Sequence, residues 1–144
     1  MNRLNKYRAK IIDTDKWTYG SVAECCPSDC YIGKIEEVNS KKIKFQGDLC
    51  LTSTLGQYTG ENDNKNKEIY TGDIFRDPLS PNTIGIVKLG RYINCFDKSE
   101  MKFGGHVGFY VEFKEKYIRN DLQYWSNNCE VIGNIIDNPE LMEG

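Results

Sequence analysis

The order of apolar and polar residues along the chain predicts a run of short strands. Tyr7, Ala9 and Ile11 alternate with Lys6, Arg8 and Lys10, the period of two that turns one face of a strand inward. After the polar turn Asp13-Thr14-Asp15-Lys16, the segment Trp17-Thr18-Tyr19-Gly20-Ser21-Val22 makes a second strand, paired with the first as a hairpin. Residues 30–35 and 42–45 give two more, separated by the polar turn Asn39-Ser40-Lys41. Residues 60–67 lack apolar periodicity and predict an exposed loop, with Asn64 or Asn66 in a left-handed position. Residues 68–75 return to the core, with a tight turn at Gly72-Asp73.

Pro78 and Pro81 mark a loop. Residues 83–89, 106–113, 122–125 and 131–136 are further strands, with a chain break at Gly104-Gly105. Asp137-Asn138-Pro139-Glu140-Leu141 starts a helix that has room for only a turn or two. Eight or more short strands with almost no helix predict a mainly β protein, a barrel or a sandwich. The 144 residues fit one domain, 1–144, divisible into an N-terminal lobe 1–55 and a C-terminal lobe 56–144.

Composition narrows the function classes. No stretch approaches the roughly 20 apolar residues of a membrane helix, and no apolar run follows Met1-Asn2-Arg3-Leu4-Asn5-Lys6 as a secretion signal requires. The expected location is the cytoplasm, with no membrane partner. Cys25, Cys26, Cys30, Cys50, Cys95 and Cys129 are then expected as thiols, since a reducing compartment disfavours disulfides. The Cys25-Cys26-Pro27-Ser28-Asp29-Cys30 cluster lacks the second close ligand pair of a zinc site, so no metal and no cofactor is expected.

Catalytic groups are scarce. His106 is the one histidine, placed beside glycine at a strand edge, and no catalytic residue is assigned. Asp63, Glu68 and Asp73 could hold a divalent ion, but they match no ligand spacing and read as turn and surface residues. Lys6, Arg8 and Lys10 share a strand face that could meet nucleic acid, with Lys41, Lys42 and Lys44 adding charge and Tyr31, Phe45 and Tyr58 offering rings for stacking. The net charge of −2 weighs against that use. Nine tyrosines and two tryptophans suit a protein interface equally well.

Several phrases resemble the YopX family, whose members are encoded by bacteriophages and prophages. The central one is Gly56-Gln57-Tyr58-Thr59-Gly60, then Asp63, then Lys67-Glu68-Ile69-Tyr70-Thr71-Gly72-Asp73-Ile74. The openings Lys6-Tyr7-Arg8-Ala9 and Trp17-Thr18-Tyr19-Gly20, and the endings Tyr124-Trp125, Glu130-Val131-Ile132-Gly133-Asn134-Ile135 and Asn138-Pro139-Glu140-Leu141, extend the likeness over nearly the whole chain. Glu61 replaces a usual apolar residue, Asn66 a usual glycine, a proline is missing near Thr52, and the cysteine cluster is outside the pattern. The resemblance implies a β-rich fold with an SH3-like barrel or roll and additional strands, and an association with mobile genetic elements. It implies no reaction. The expectation is a phage or prophage accessory protein, not an enzyme. It would act by binding, as a homo-oligomer or on a host or phage protein; nucleic acid is the alternative partner and an enzyme the third reading.

Overall fold

The computed structural model describes residues 6–39, 42–93, 105–115 and 119–143. Ser40, Lys41, Cys95 and Gly104 lie outside them. The chain forms two compact units, Met1–Tyr58 and Thr59–Gly144, and each has its own apolar cluster. The strands build two antiparallel sheets, so the protein is mainly β.

In the first unit β1 (Tyr7–Lys10), β2 (Trp17–Cys25), β3 (Asp29–Asn39) and β4 (Lys42–Leu51) pair in that order. The opening of β5 (Gly56–Asn62) adds to β1 through Gly56 opposite Arg8 and Gln57 opposite Tyr7. The alternation predicted for β1 holds. Tyr7, Ala9 and Ile11 turn to a cluster with Val22, Cys30, Ile32, Cys50 and Leu55. β3 and β4 run well beyond the predicted segments, past Gln46 and Asp48, because their ladder is continuous from Asp29 opposite Leu51 to Glu37 opposite Ile43. Mutual pairing satisfies the backbone whatever the side chains, which is why polar residues do not end these strands.

Gly20, Gly33 and Gly47 form a row across β2, β3 and β4. A Cβ on Gly33 would lie 2.2 Å from the Gln46 carbonyl oxygen and 2.3 Å from Gly47 Cα, and one on Gly20 would lie 2.3 Å from the Gly33 carbonyl oxygen. Only glycine permits this approach, the usual mark of a sheet that bends sharply. A bridge from Ile11 to Cys50, with the Ile12 N–H donating to the Leu49 carbonyl at 3.0 Å, draws the end of β1 towards β4. That single bridge falls short of the continuous ladder of a closed barrel. Among the described residues the strands close no barrel.

In the second unit the end of β5 pairs with β6 (Glu68–Tyr70). The other sheet has the order β10 (Glu130–Asn134), β7 (Asp73–Asp77), β8 (Ser80–Tyr92), β9 (His106–Phe113). Phe75, Val87, Val111 and Val131 from its four strands join Ile69, Phe113, Leu122 and Cys129 in the core. Three expectations are corrected here. Residues 122–125 form a helical turn, α1 (Leu122–Trp125), not a strand: Leu122 is buried and Trp125 packs on the same cluster, the spacing of three that a helix brings to one side. Pro81 lies inside β8, next to its first residue, where a missing N–H is tolerated, so only Pro78 and Leu79 form the turn. β10 stops at Asn134, whose side-chain oxygen accepts the N–H groups of Ile136 and Asp137 and turns the chain. The expected C-terminal helical turn is the 3-10 helix Pro139–Met142. Among the described residues no helix is long and apolar enough to cross a membrane.

Candidate functional site

The residues of the central phrase hold turns. Asp63 is buried, and its Oδ1 accepts the N–H groups of Lys65 at 2.9 Å and Lys67 at 2.8 Å. Its Oδ2 accepts the N–H of Val131 at 3.0 Å, which ties the loop to β10. Asn66 takes the left-handed conformation predicted for it, at φ 64°. The Thr59 hydroxyl donates to the Ile69 carbonyl at 2.9 Å, and Gly60 follows at φ 85°. Asp73 Oδ2 accepts the Tyr70 N–H at 2.8 Å across Thr71-Gly72, with Gly72 at φ 92°. Glu68 Oε1 accepts the Tyr70 hydroxyl at 3.2 Å. Asp63 and Asp73 thus spend carboxylate oxygens on backbone donors rather than converging on an ion. No group of three or more His, Cys, Asp or Glu among the described residues is arranged to hold a metal. In the first unit Gly56 and Tyr58 are buried, and the Tyr58 N–H donates to the Lys6 carbonyl at 2.8 Å.

The basic strand face is largely committed within its own sheet. Lys10 stands opposite Trp17 and Arg8 opposite Tyr19. The Arg8 guanidinium lies 4.9 Å from the Trp17 ring centre and Lys10 Nζ lies 5.6 Å from it, while Lys6 Nζ lies 5.9 Å from the Tyr58 ring. Arg8 is only 7% exposed. The three cations share a face as expected, but they rest on aromatic rings, and Arg8 is not presented to a phosphate.

That same face, turned away from the Ala9–Ile32 core, continues across β2, β3 and β4. Register puts Tyr31 opposite Leu49, with Leu51 two residues on, and Tyr19 two residues from Trp17. Tyr19, Tyr31, Leu49 and Leu51 are 48%, 41%, 38% and 39% exposed. The antiparallel sheet has its core on one side, so the other is expected to be polar. Sequence reading missed this face because residues 49–51 fell outside the predicted strand.

In the second unit His106 is not poised as a base. Its ring stacks on Tyr92 at 5.3 Å, and Tyr92 stacks on Tyr110 at 5.1 Å, with the Tyr110 ring passing beside Gly90 of β8. The Tyr92 hydroxyl donates to Asp121 Oδ1 at 2.5 Å, and Arg119 holds the other carboxylate oxygen through Nε at 3.0 Å and Nη2 at 2.8 Å. The cluster ties β8 and β9 to the start of α1.

Four cysteines gather in the first unit. Cys25 lies opposite Cys30, and Cys30 opposite Cys50, while Cys26 sits in the turn. Cys25 and Cys26 are exposed; Cys30 and Cys50 are buried. The Cys26 thiol donates to the Asp29 carbonyl at 3.1 Å, and hydrogen bonding to the Asp29 backbone and the Ser28 hydroxyl holds its pKa below the ordinary thiol value. Burial pushes Cys30 up, and pushes Cys50 to about 11. Cys129, in the other core, is pushed by burial to about 12.

A protein-family model described as YopX protein matches residues 6–143. No curated protein matches the chain.

Proposed function

The chain belongs to the YopX family, and from that premise we propose that it is a phage or prophage accessory protein of the host cytoplasm that acts by binding protein, beginning with copies of itself. The exposed face of Tyr19, Tyr31, Leu49 and Leu51 carries this reading. Aromatic and aliphatic groups left in water on one side of a sheet favour association, and tyrosine supplies large contact area at small entropic cost. The Lys6, Arg8, Lys10 face supports nucleic acid less well, since its cations already rest on Trp17 and Tyr58. His106 and the carboxylates support catalysis less well still, since they stack or hold backbone.

Sedimentation of the purified protein with and without Y31S/L49S tests the proposal. Both side chains are partly exposed, so the variant should fold. The expected result is a concentration-dependent oligomer for the parent and a shift to monomer for the variant, with affinity lowered at least ~10-fold, as the loss of two contact residues near ~1 kcal/mol each implies. An oligomer unchanged by the variant would overturn the assignment of the face. A parent that stays monomeric and binds single-stranded oligonucleotides with steep salt dependence would replace the reading with nucleic-acid binding.

A further inference from the structure

The hairpin that joins β2 to β3 brings Cys25 and Cys30 together through a register shift. From Ser21 opposite Gly33 and Val22 opposite Ile32, an unbroken ladder would place Glu24, not Cys25, against Cys30. A bulge between Val22 and Glu24 moves the register by one, and Cys25 then faces Cys30. A one-residue slip exchanges the two faces of a strand, so the bulge puts both sulfurs on the same side.

The hydrogen bonds settle which thiols can join. The Cys26 N–H donates to the Asp29 carbonyl at 2.9 Å, which makes Cys26 and Asp29 a hydrogen-bonded pair. By alternation the next pair, Cys25 and Cys30, is non-hydrogen-bonded, the kind whose side chains approach more closely. On β4 the phase is opposite. The Thr52 N–H donates to the Ser28 carbonyl at 3.1 Å, so Ser28 and Thr52 are hydrogen-bonded, and two steps on so are Cys30 and Cys50. A disulfide needs Cβ atoms about 3.5–4.5 Å apart, and cross-strand Cβ separations run from about 4.5 to 5.5 Å with the non-hydrogen-bonded pairs at the short end.

We propose that Cys25 and Cys30 form a reversible disulfide-exchange site whose reactant is the disulfide of a small thiol. Cys25 is exposed, and its Sγ lies 3.9 Å from the Thr52 hydroxyl, which also hydrogen-bonds Cys30. The Cys25 thiolate attacks one sulfur of the small disulfide, forms a mixed disulfide and releases one small thiolate. Cys30 then gives up its proton to the first leaving thiolate, attacks the Cys25 sulfur, closes the cross-strand bond and releases the second. Two protein thiols are oxidised, one small disulfide is reduced to two thiols, and the two protons lost by the protein go to the leaving thiolates. Burial holds Cys30 in its thiol form, so it serves as the second thiol and not the first. Cys26, also exposed, with its pKa held below the ordinary thiol value by hydrogen bonds, faces Asp29 and has no cysteine opposite, so its adduct stays open.

The test is incubation of the full chain with oxidised glutathione, alkylation, tryptic digestion and mass spectrometry. The expected result is that peptide 17–34 loses two hydrogens and carries its single alkyl group on Cys26. C26S should retain the bond, and C25S should lose it and leave Cys30 alkylated; both changes are at exposed positions, so folding is kept. A dithiol reductant should restore three alkylated cysteines in the parent peptide. Peptides 17–34 and 45–65 joined through Cys30 and Cys50, or adducts on Cys26 with Cys25 and Cys30 both alkylated, would overturn the proposal.

Discussion

Asp63 occupies the most polar loop of the chain and is nonetheless buried, because three backbone N–H groups converge on its carboxylate. Such an acceptor is worth more than the surface pair nearby. Lys65 and Glu130 meet at 2.8 Å on the same loop, but the lysine is mostly in water, and exposed pairs contribute at most about 1 kcal/mol. D63N turns an NH2 group towards a backbone N–H and leaves a buried donor without an acceptor, which costs about 1–3 kcal/mol. Urea unfolding should therefore show D63N less stable by that amount, with K65A changed by less than about 1 kcal/mol. D63N as stable as the parent would show that the three backbone donors do not need both carboxylate oxygens. A turn role for Asp63 was legible from its neighbours. The reach of Oδ2 to Val131, 68 residues on, was not, since nothing local marks which strand a loop will meet.

Elements were legible where a pattern repeats often enough to fix its period. β1, read from its alternation, and β9, read from its β-branched and aromatic residues, appear close to their expected bounds. Residues 122–125 are too few to separate a period of two from one near four, and their aromatic content favoured the wrong one. β3 and β4 were cut short because their pairing depends on each other and not on an apolar stripe. The glycine row explains why such long strands can bend. G33A places a methyl group 2.2 Å from a carbonyl oxygen and 2.3 Å from Gly47 Cα, both backbone atoms that no side-chain rotation can clear. Overpacking of this kind costs about 1–3 kcal/mol or more. Thermal unfolding should show a lowered midpoint for G33A. An unchanged midpoint would mean that the strands β3 and β4 separate to admit the methyl group.

Across the whole molecule the mainly β class was legible, since turn residues punctuate the chain at short intervals. The exposed Tyr31–Leu49 face was not, because it depends on the β3–β4 register and on residues past the predicted end of β4. Both cores hold buried thiols, Cys30 and Cys50 in one and Cys129 in the other. Cys50 is raised from 9.0 to about 11 and Cys129 from 9.0 to about 12, in both cases chiefly by desolvation. The folded protein keeps these protons at a pH where the unfolded chain releases them. Their contribution to stability is therefore complete below about pH 9, and is lost as pH rises through about 11 for Cys50 and about 12 for Cys129. Tyrosine and lysine titrate in the same range, so the measurement is a comparison of slopes. C129A should be less stable than the parent at pH 7, by about 1–2 kcal/mol for a small buried group, and the gap should narrow between pH 9 and 11 because the variant has no thiol to ionise. C50A should behave alike at slightly lower pH. Parallel slopes for parent and variants would show that the thiols ionise as readily in the folded protein as in the unfolded chain, and that alkaline loss of structure begins with other groups.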